Sequence, residues 1–311
     1  MDNQKFIIGV EVGGGHVSAA LVTTTGAIVP ETTKYFRIDS GGNAEDILNK
    51  WALPIKSIMT KVDRKLLLGI SFAMPGAFDY KNGLALFQGN GKYDALYNIN
   101  ITEELSDRLN LNTPLPMRYI NDATAFAIGA CWKGEAQNHE RAICFTLGTG
   151  IGSAFMEHGV PIVSDSNVPK HGCLWHLPFQ EGIVDDYFST RWFVRESETK
   201  YGVRVNGVKS LASAARKHAH TQEIFTKFGH NLGKLLGPWI QQYRPTCLCF
   251  GGNISQSADL FGEPFREELH NQGVSVKIAF NNQTEELALV GSTRLYEEKM
   301  WDKVAMELPS M

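Results

Sequence analysis

One pattern occurs twice in this chain and restricts the fold more than any other feature. Residues 6–12 (FIIGVEV) form an apolar run, a glycine turn follows at Gly13–Gly15, and VSAALV resumes the run. RAICFTLGTGIGSAFMEHGVPI does it again: a buried run, a Gly/Thr turn at 148–152, a second run, and a further turn at His158–Gly159. Short apolar runs separated by glycine turns read as buried strands joined by hairpins. A strand–turn–strand unit in each half is an internal repeat and predicts two related domains. A chain of 311 residues is long enough for two cores.

Between the repeats, AIV after Thr25–Gly26 predicts a third strand of the first meander. Ile47, Leu48, Trp51, Ile55, Ile58 and Met59 recur at helical spacing and predict an amphipathic helix over 44–62, kinked or split at Pro54. LLLGISFA (66–73) reads as a buried strand stopped by Pro75 and Gly76, and 78–100 as an ordered binding loop. A helix is predicted over 101–109 with Thr102 as N-cap. MRYI (117–120) is a strand that delivers Asn121 and Asp122 to its carboxyl end, and 123–132 is helical. Later come a helix over 222–243, a strand CLCF (247–250) running into Gly251 and Gly252, and a helical tail over 287–300 with Gly291 as a close-packing position.

Charge excludes some functions. The net charge is −3 and basic residues are scattered, so nothing offers a nucleic-acid backbone a cationic face. No run reaches the roughly 18 apolar residues of a membrane helix, and the run from Phe6 to Val12 is too short for a signal peptide. Five cysteines in apolar settings predict reduced thiols and a cytoplasmic protein. Cys247 and Cys249 share one strand face, where core packing is expected over a two-thiol metal site.

The order of these pieces resembles the ROK family of sugar kinases and sugar-responsive regulators, over almost the whole chain. The matching segments are VEVGGG (10–15), MPGAFD (74–79), NDATAFAIGA (121–130), TLGTGIGSAF (146–155), HGCLWH (171–176), CFGGN (249–253) and LALVGS (287–292). The resemblance implies an α/β chain with the two-domain actin-like (ribonuclease H-like) ATPase fold, each domain a mixed sheet with a strand meander flanked by helices. Residues 1–121 with 292–311 are expected to form the small domain, and 122–291 the large one.

The resemblance also assigns roles. Gly13, Gly14 and Gly15 in the first turn and Gly148, Thr149 and Gly150 in the second would grip ATP phosphates, since glycine lets backbone N–H groups approach phosphate oxygens closely. Glu11 stands where the family has an aspartate and keeps a carboxylate for Mg²⁺ or its water shell. Gly251 and Gly252 would lie beside the adenosine. Asp122 matches the general base that takes the sugar hydroxyl proton; the bland alternative is a helix N-cap. Asn121 and Asn90 match sugar-contacting asparagines, while Tyr93 and Tyr97 are either a pocket rim or a surface turn.

The sugar segment departs from the family pattern Gly-Glu-x-Gly-His. Cys173 takes the glutamate position, Trp175 either offers a ring face to a sugar or fills its pocket, and His176 is kept as a donor to a sugar oxygen. GIVDDY (182–187) resembles GCLEAY and puts Asp185 on a second sugar-binding glutamate. The cysteine loop that binds zinc in many members is missing, so no structural zinc is expected: five residues, Leu177 to Glu181, separate His176 from Gly182.

The resulting expectation is ATP- and Mg²⁺-dependent phosphorylation of a hexose or N-acyl hexosamine at its 6-hydroxyl, with the nucleotide in the interdomain cleft and the protein a homodimer. The alternative is a non-catalytic sugar or nucleotide sensor. The family's regulators carry a helix-turn-helix module ahead of the first hairpin; here that hairpin begins at Phe6, so no binding of nucleic acid is expected.

Overall fold

A computed structural model describes residues 4–89, 91–111 and 113–308. It divides into two compact units, 1–133 with 285–311, and 134–284. The expected boundaries at 121/122 and 291/292 fall at the start of one helix and inside another; both helices belong largely or wholly to the first unit.

In the first unit, β1 (Phe6–Val12) pairs antiparallel with β2 (His16–Thr23), which pairs antiparallel with β3 (Lys34–Arg37). The third strand lies later than AIV predicts. Pro30 has no N–H to donate, and only Ile28 forms a bridge, to Val22. Helix α1 (Ala44–Met59) then packs on β1, β2 and β3. Asn43 caps it by accepting from Asp46 N–H, and it runs unbroken through Pro54. β4 (Leu67–Met74) lies parallel to β1, followed by the small hairpin β5 (Phe78–Asp79) and β6 (Leu84–Ala85).

α2 (Ile101–Arg108) is capped by Asn100, whose Oδ1 accepts from Thr102 and Glu103 N–H, so Thr102 lies inside the helix instead of capping it. Its hydroxyl is 2.9 Å from Tyr119 Oη. β7 (Met117–Asn121) closes the sheet parallel to β4 and leads straight into α3 (Asp122–Lys133).

The second unit repeats this order. β8 (Arg141–Leu147), β9 (Ile151–Glu157) and β10 (Val160–Ile162) form an antiparallel meander. The hairpin of β11 (Pro178–Phe179) and β12 (Gly182–Ile183) and the turn-long α4 (Val184–Tyr187) precede α5 (Thr190–Tyr201), α6 (Val208–Ala215) and α7 (Ala219–Tyr243). β13 (Cys247–Gly251) lies parallel to β8; α8 (Ala258–Asn271) crosses back to β14 (Lys277–Phe280), parallel to β13. The strand orders are β3-β2-β1-β4-β7 and β10-β9-β8-β13-β14, so strand direction and crossover match position by position. This is the actin-like duplication that the two glycine hairpins implied.

Each sheet is buried by helices. In the second unit an aromatic core runs from Phe145 and Phe250, stacked 4.7 Å apart on the sheet, to Phe193, Phe228 and Phe261 on the helices. Cys144, Cys247 and Cys249 are buried and form no disulfide, and Cys249 sits beside Cys144 in the strand register.

The tail is not one helix. α9 (Thr284–Thr293) ends in a tight turn at Arg294–Tyr296, and α10 (Glu298–Glu307) follows. α9 crosses α3 within the first unit through glycine: a Cβ on Gly291 would stand 2.0 Å from Ala125 O, and one on Gly129 would stand 2.0 Å from Leu287 O. No helix among the described residues is long and apolar enough to cross a membrane.

Candidate functional site

In the first unit the site gathers at the carboxyl ends of parallel β1 and β7, where ligands collect in α/β sheets. β7 ends at Asn121 and α3 begins at Asp122. Asn121, not Asp122, acts as the cap: its Oδ1 accepts from Thr124 N–H at 3.2 Å and Ala123 N–H at 3.0 Å. Its amide donates to Tyr80 Oη at 3.2 Å and to Asp122 Oδ1 at 3.1 Å. Asp122 Oδ1 also accepts from Ala123 N–H at 2.8 Å. Burial drives the Asp122 carboxyl up to about 6, the backbone donor opposes it, and the negative charge of Glu11 adds to it. A carboxylate so tuned is ionised at neutral pH and still basic enough to take a proton.

The turn Gly13–Gly15 stands at the other end of this site. Tyr93 is buried, packs edge-on against Trp51 and donates its hydroxyl to Gly13 O at 2.5 Å, so it buttresses the turn instead of lining a rim. Ser40 Oγ donates to Gly14 O at 2.8 Å. A Cβ on Gly14 would stand 2.7 Å from Lys92 Nζ, and one on Gly13 would stand 2.2 Å from the His16 ring. Tyr97 is half exposed. Asn90 lies outside the described residues.

Glu11 is buried at the end of β1. His16 Nε2 lies 3.0 Å from Glu11 Oε2 and 3.3 Å from Glu285 Oε1 at the start of α9. The two carboxylates draw the imidazole up to about 10, Glu11 most strongly. Burial pushes the Glu11 carboxyl above its usual range, and His16 holds the Glu285 carboxyl below it. One imidazole nitrogen and two carboxylates form a donor set suited to a divalent cation.

In the second unit the turn Gly148–Gly150 joins β8 to β9, with Gly148 N–H bonded to Gly150 O at 2.9 Å. Gly148 O accepts from both the N–H and the hydroxyl of Thr190, at 2.9 and 2.8 Å. The space a Cβ on Gly148 would enter is open. Asp185 Oδ1 accepts from Ile151 N–H at 2.9 Å, and Oδ2 pairs with Arg191 at 2.6 Å. A Cβ on Gly150 would stand 2.4 Å from Asp185 Oδ1. Asp185 is therefore packed against the turn with both oxygens engaged. Gly252 (φ +87°) lies against the same turn: its Cβ would stand 2.3 Å from Leu147 O, and Gly251 pairs with Thr146. Thr149 lies within the turn itself.

Residues 171–176 are held to α4 and β9, with Asp185 N–H bonded to Trp175 O at 3.1 Å and Leu174 N–H to Ser153 Oγ at 2.9 Å. Cys173 Sγ lies 3.8 Å from His176 Nδ1. Burial pushes the Cys173 thiol up to about 11, so it is a neutral thiol at physiological pH. Burial also lowers His176, helped by His171 and Lys170. Trp175 is 49% exposed and so does not fill a pocket within its unit. The hairpin of β11 and β12 follows directly after His176 and Leu177.

Sequence reasoning missed His16, Glu285, Thr190 and Arg191. His16 carries a weak signal, because it follows Gly15 directly and the turn Gly13–Gly15 returns it to Glu11. Nothing in the sequence brings Glu285 there.

Duplicated mixed sheets, each opening on a glycine hairpin, define the actin/hexokinase-like ATPase fold. The chain belongs to the ROK family, whose model matches residues 7–285. It is 27% identical to a glucokinase of Thermotoga maritima over 292 residues, covering 85% of this chain and 86% of that one. It is 23% identical to a xylose repressor of Bacillus spizizenii, covering 86% of this chain and 69% of the repressor. Among solved structures it resembles a ROK family glucokinase from Streptomyces griseus in complex with glucose and AMPPNP, with a TM-score of 0.71, 21% identity, and coverage of 94% and 99%. It also resembles a ROK hexokinase from Thermus thermophilus, with a TM-score of 0.75, 16% identity, and coverage of 96% and 99%.

Proposed function

We propose that the protein phosphorylates a hexose or N-acyl hexosamine at its 6-hydroxyl, using ATP, with Asp122 as the general base. The observation that carries this reading is the setting of Asp122, at the end of a parallel strand, oriented by Asn121 and Ala123 and raised to about 6. Asp122 accepts the hydroxyl proton as the sugar oxygen attacks the γ-phosphorus and the bond to the bridging oxygen of ADP breaks. Asn121 holds the carboxylate in line and keeps one of its oxygens occupied. Each glycine turn, one per unit, offers backbone N–H groups to phosphate, and Gly251 and Gly252 lie beside the adenosine. Glu11 belongs to the divalent ion, which when bound neutralises charge on the phosphates. Cys173 and His176 face the sugar, with no structural zinc beside them. A glucokinase, an N-acetyl-D-glucosamine kinase and a beta-glucoside kinase among its relatives agree with this substrate class.

A second reading, a family sensor that binds sugar or nucleotide without turnover and without contacting DNA itself, draws on Cys173 and Asp185. The first is a neutral thiol, and the second has both oxygens engaged. ADP release over a panel of hexoses, hexosamines and N-acyl derivatives with Mg–ATP separates the two. Turnover of one sugar well above the ATPase background supports the kinase; saturable sugar binding with no turnover on any supports the sensor.

A further inference from the structure

The first glycine hairpin carries more than one acidic residue and a backbone turn. Its two strands place Glu11 opposite Ser18 and His16 diagonally across, with His16 Nε2 3.0 Å from Glu11 Oε2, and α9 adds Glu285. One ligand atom from each of the three lies within 4.8 Å of the other two. The separations of 3.0 Å and 3.3 Å from Nε2 to the two carboxylate oxygens match neighbouring ligands on one first-row cation. Bonds of about 2.1 Å at right angles place such ligands about 3 Å apart.

A second observation points to a ligand. His16 Nε2 is a buried atom that faces both carboxylate oxygens, at 3.0 Å and 3.3 Å, without a hydrogen bond of good geometry to either. The ring is held in that orientation. It stacks on Tyr35 at 5.1 Å, and Gly13 is the only residue type that leaves its other side free of a side chain. Glu11 is in turn held by Ser18 Oγ, a weak donor at 3.4 Å. Supporting contacts that fix ring and carboxylate are what a preorganised metal site needs. Mg²⁺ prefers oxygen ligands only, whereas an imidazole nitrogen suits transition cations.

We propose that Glu11, His16 and Glu285 form a three-ligand site for a first-row divalent transition cation, built into the first unit and able to fill without nucleotide. The site deepens the assignment of Glu11 to the phosphates' metal ion, because it gives that ion two further protein ligands. It does not need the chain to turn over a sugar.

The test titrates Mn²⁺ into the full chain with no nucleotide or sugar and follows free Mn²⁺ by electron paramagnetic resonance. Pulsed measurements on the bound ion then look for coupling to an imidazole ¹⁴N. One Mn²⁺ per chain with nitrogen coupling is expected, displaced only weakly by Mg²⁺. His16→Ala should remove the coupling, and loss of a direct ligand should weaken binding by about tenfold or more. Glu285→Gln, at a half-exposed side chain that tolerates change, should weaken binding similarly while leaving the coupling in what still binds. Absence of saturable binding, or bound Mn²⁺ without nitrogen coupling, overturns the proposal. So does Glu285→Gln binding as tightly as the parent. A protein that passes these tests but phosphorylates no sugar keeps the metal site and loses only the kinase reading.

Discussion

Asn121 donates from Nδ2 to Asp122 Oδ1 across 3.1 Å while its own Oδ1 caps α3 through Ala123 and Thr124. Neighbours in sequence thus divide two tasks. Asn121 terminates the strand-to-helix corner, and Asp122 is spared the cap's usual duty of pairing with the third residue of the helix. That division leaves Asp122 available for the base role proposed for it, although its position alone would suit a cap.

Asp122→Asn keeps the shape and one hydrogen-bond acceptor but takes no proton at neutral pH. The turnover rate should fall by about 10²–10⁴-fold, with sugar affinity changed little. Single-turnover kinetics beside calorimetric sugar binding check this. A variant that retains most of the parental rate excludes Asp122 as the base.

The pH dependence follows from the same carboxyl. Its value in the folded protein is about 6, and the base works only when ionised. kcat/KM should be flat above pH 7 and fall about tenfold per unit below 6, since the protonated fraction grows as pH drops. An acid limb centred near pH 4 would show that burial does not raise Asp122 in solution.

Asp185 is braced against the second glycine turn. Asp185→Ala removes the acceptor for Ile151 N–H, a charged hydrogen bond worth about 1.5–3 kcal/mol. The KM for ATP should rise about tenfold or more while the sugar KM moves little. Asp185→Asn, which can still accept from Ile151, should be mild. A loss confined to the sugar KM would instead make Asp185 a hydroxyl-reading group.

Cys173 presents a neutral thiol where the resemblance implies a carboxylate in the family. Without a charged acceptor, a pair of sugar hydroxyls loses roughly 1.5–3 kcal/mol per hydrogen bond. Glucose should bind poorly, an N-acylated hexose should bind better, and Cys173→Glu should shift preference toward glucose. Calorimetric titration of both proteins decides; tight glucose binding weakened by Cys173→Glu overturns the assignment of 171–176.

Gly291→Ala should destabilise the first unit by about 1–3 kcal/mol, because its Cβ would meet Ala125 O at 2.0 Å and force α9 away from α3. The chemical unfolding midpoint reports this. An unchanged midpoint would mean that the helices separate without loss.

Much of the scaffold was legible in the sequence. Apolar runs and glycine turns act locally, so β1, β2, β8, β9 and β13 fall where their residues place them. Errors came where neighbours compete for a task. Asn100 took the cap that Thr102 also suits, because Thr102 finds Tyr119 across the unit. Pro54 stayed inside α1, where both flanking turns are buried against the sheet. The tail broke at Arg294, where Tyr296 donates its hydroxyl to Ile70 O on β4.

The sequence by itself determined the duplication, the two glycine turns, the strand-end position of Asp122 and the family. Each depends on residues adjacent in the chain, and periodicity and turn chemistry operate at that range. Only the tertiary structure decided what the charged side chains touch. Glu11 and His16 are paired by a hairpin, but Glu285 reaches them from the far end of the chain because α9 returns to the first unit. Asp185 was drawn to the glycine turn because Gly150 has no Cβ to keep it away. A carboxylate's partners are set by which elements pack together, and no local pattern encodes that.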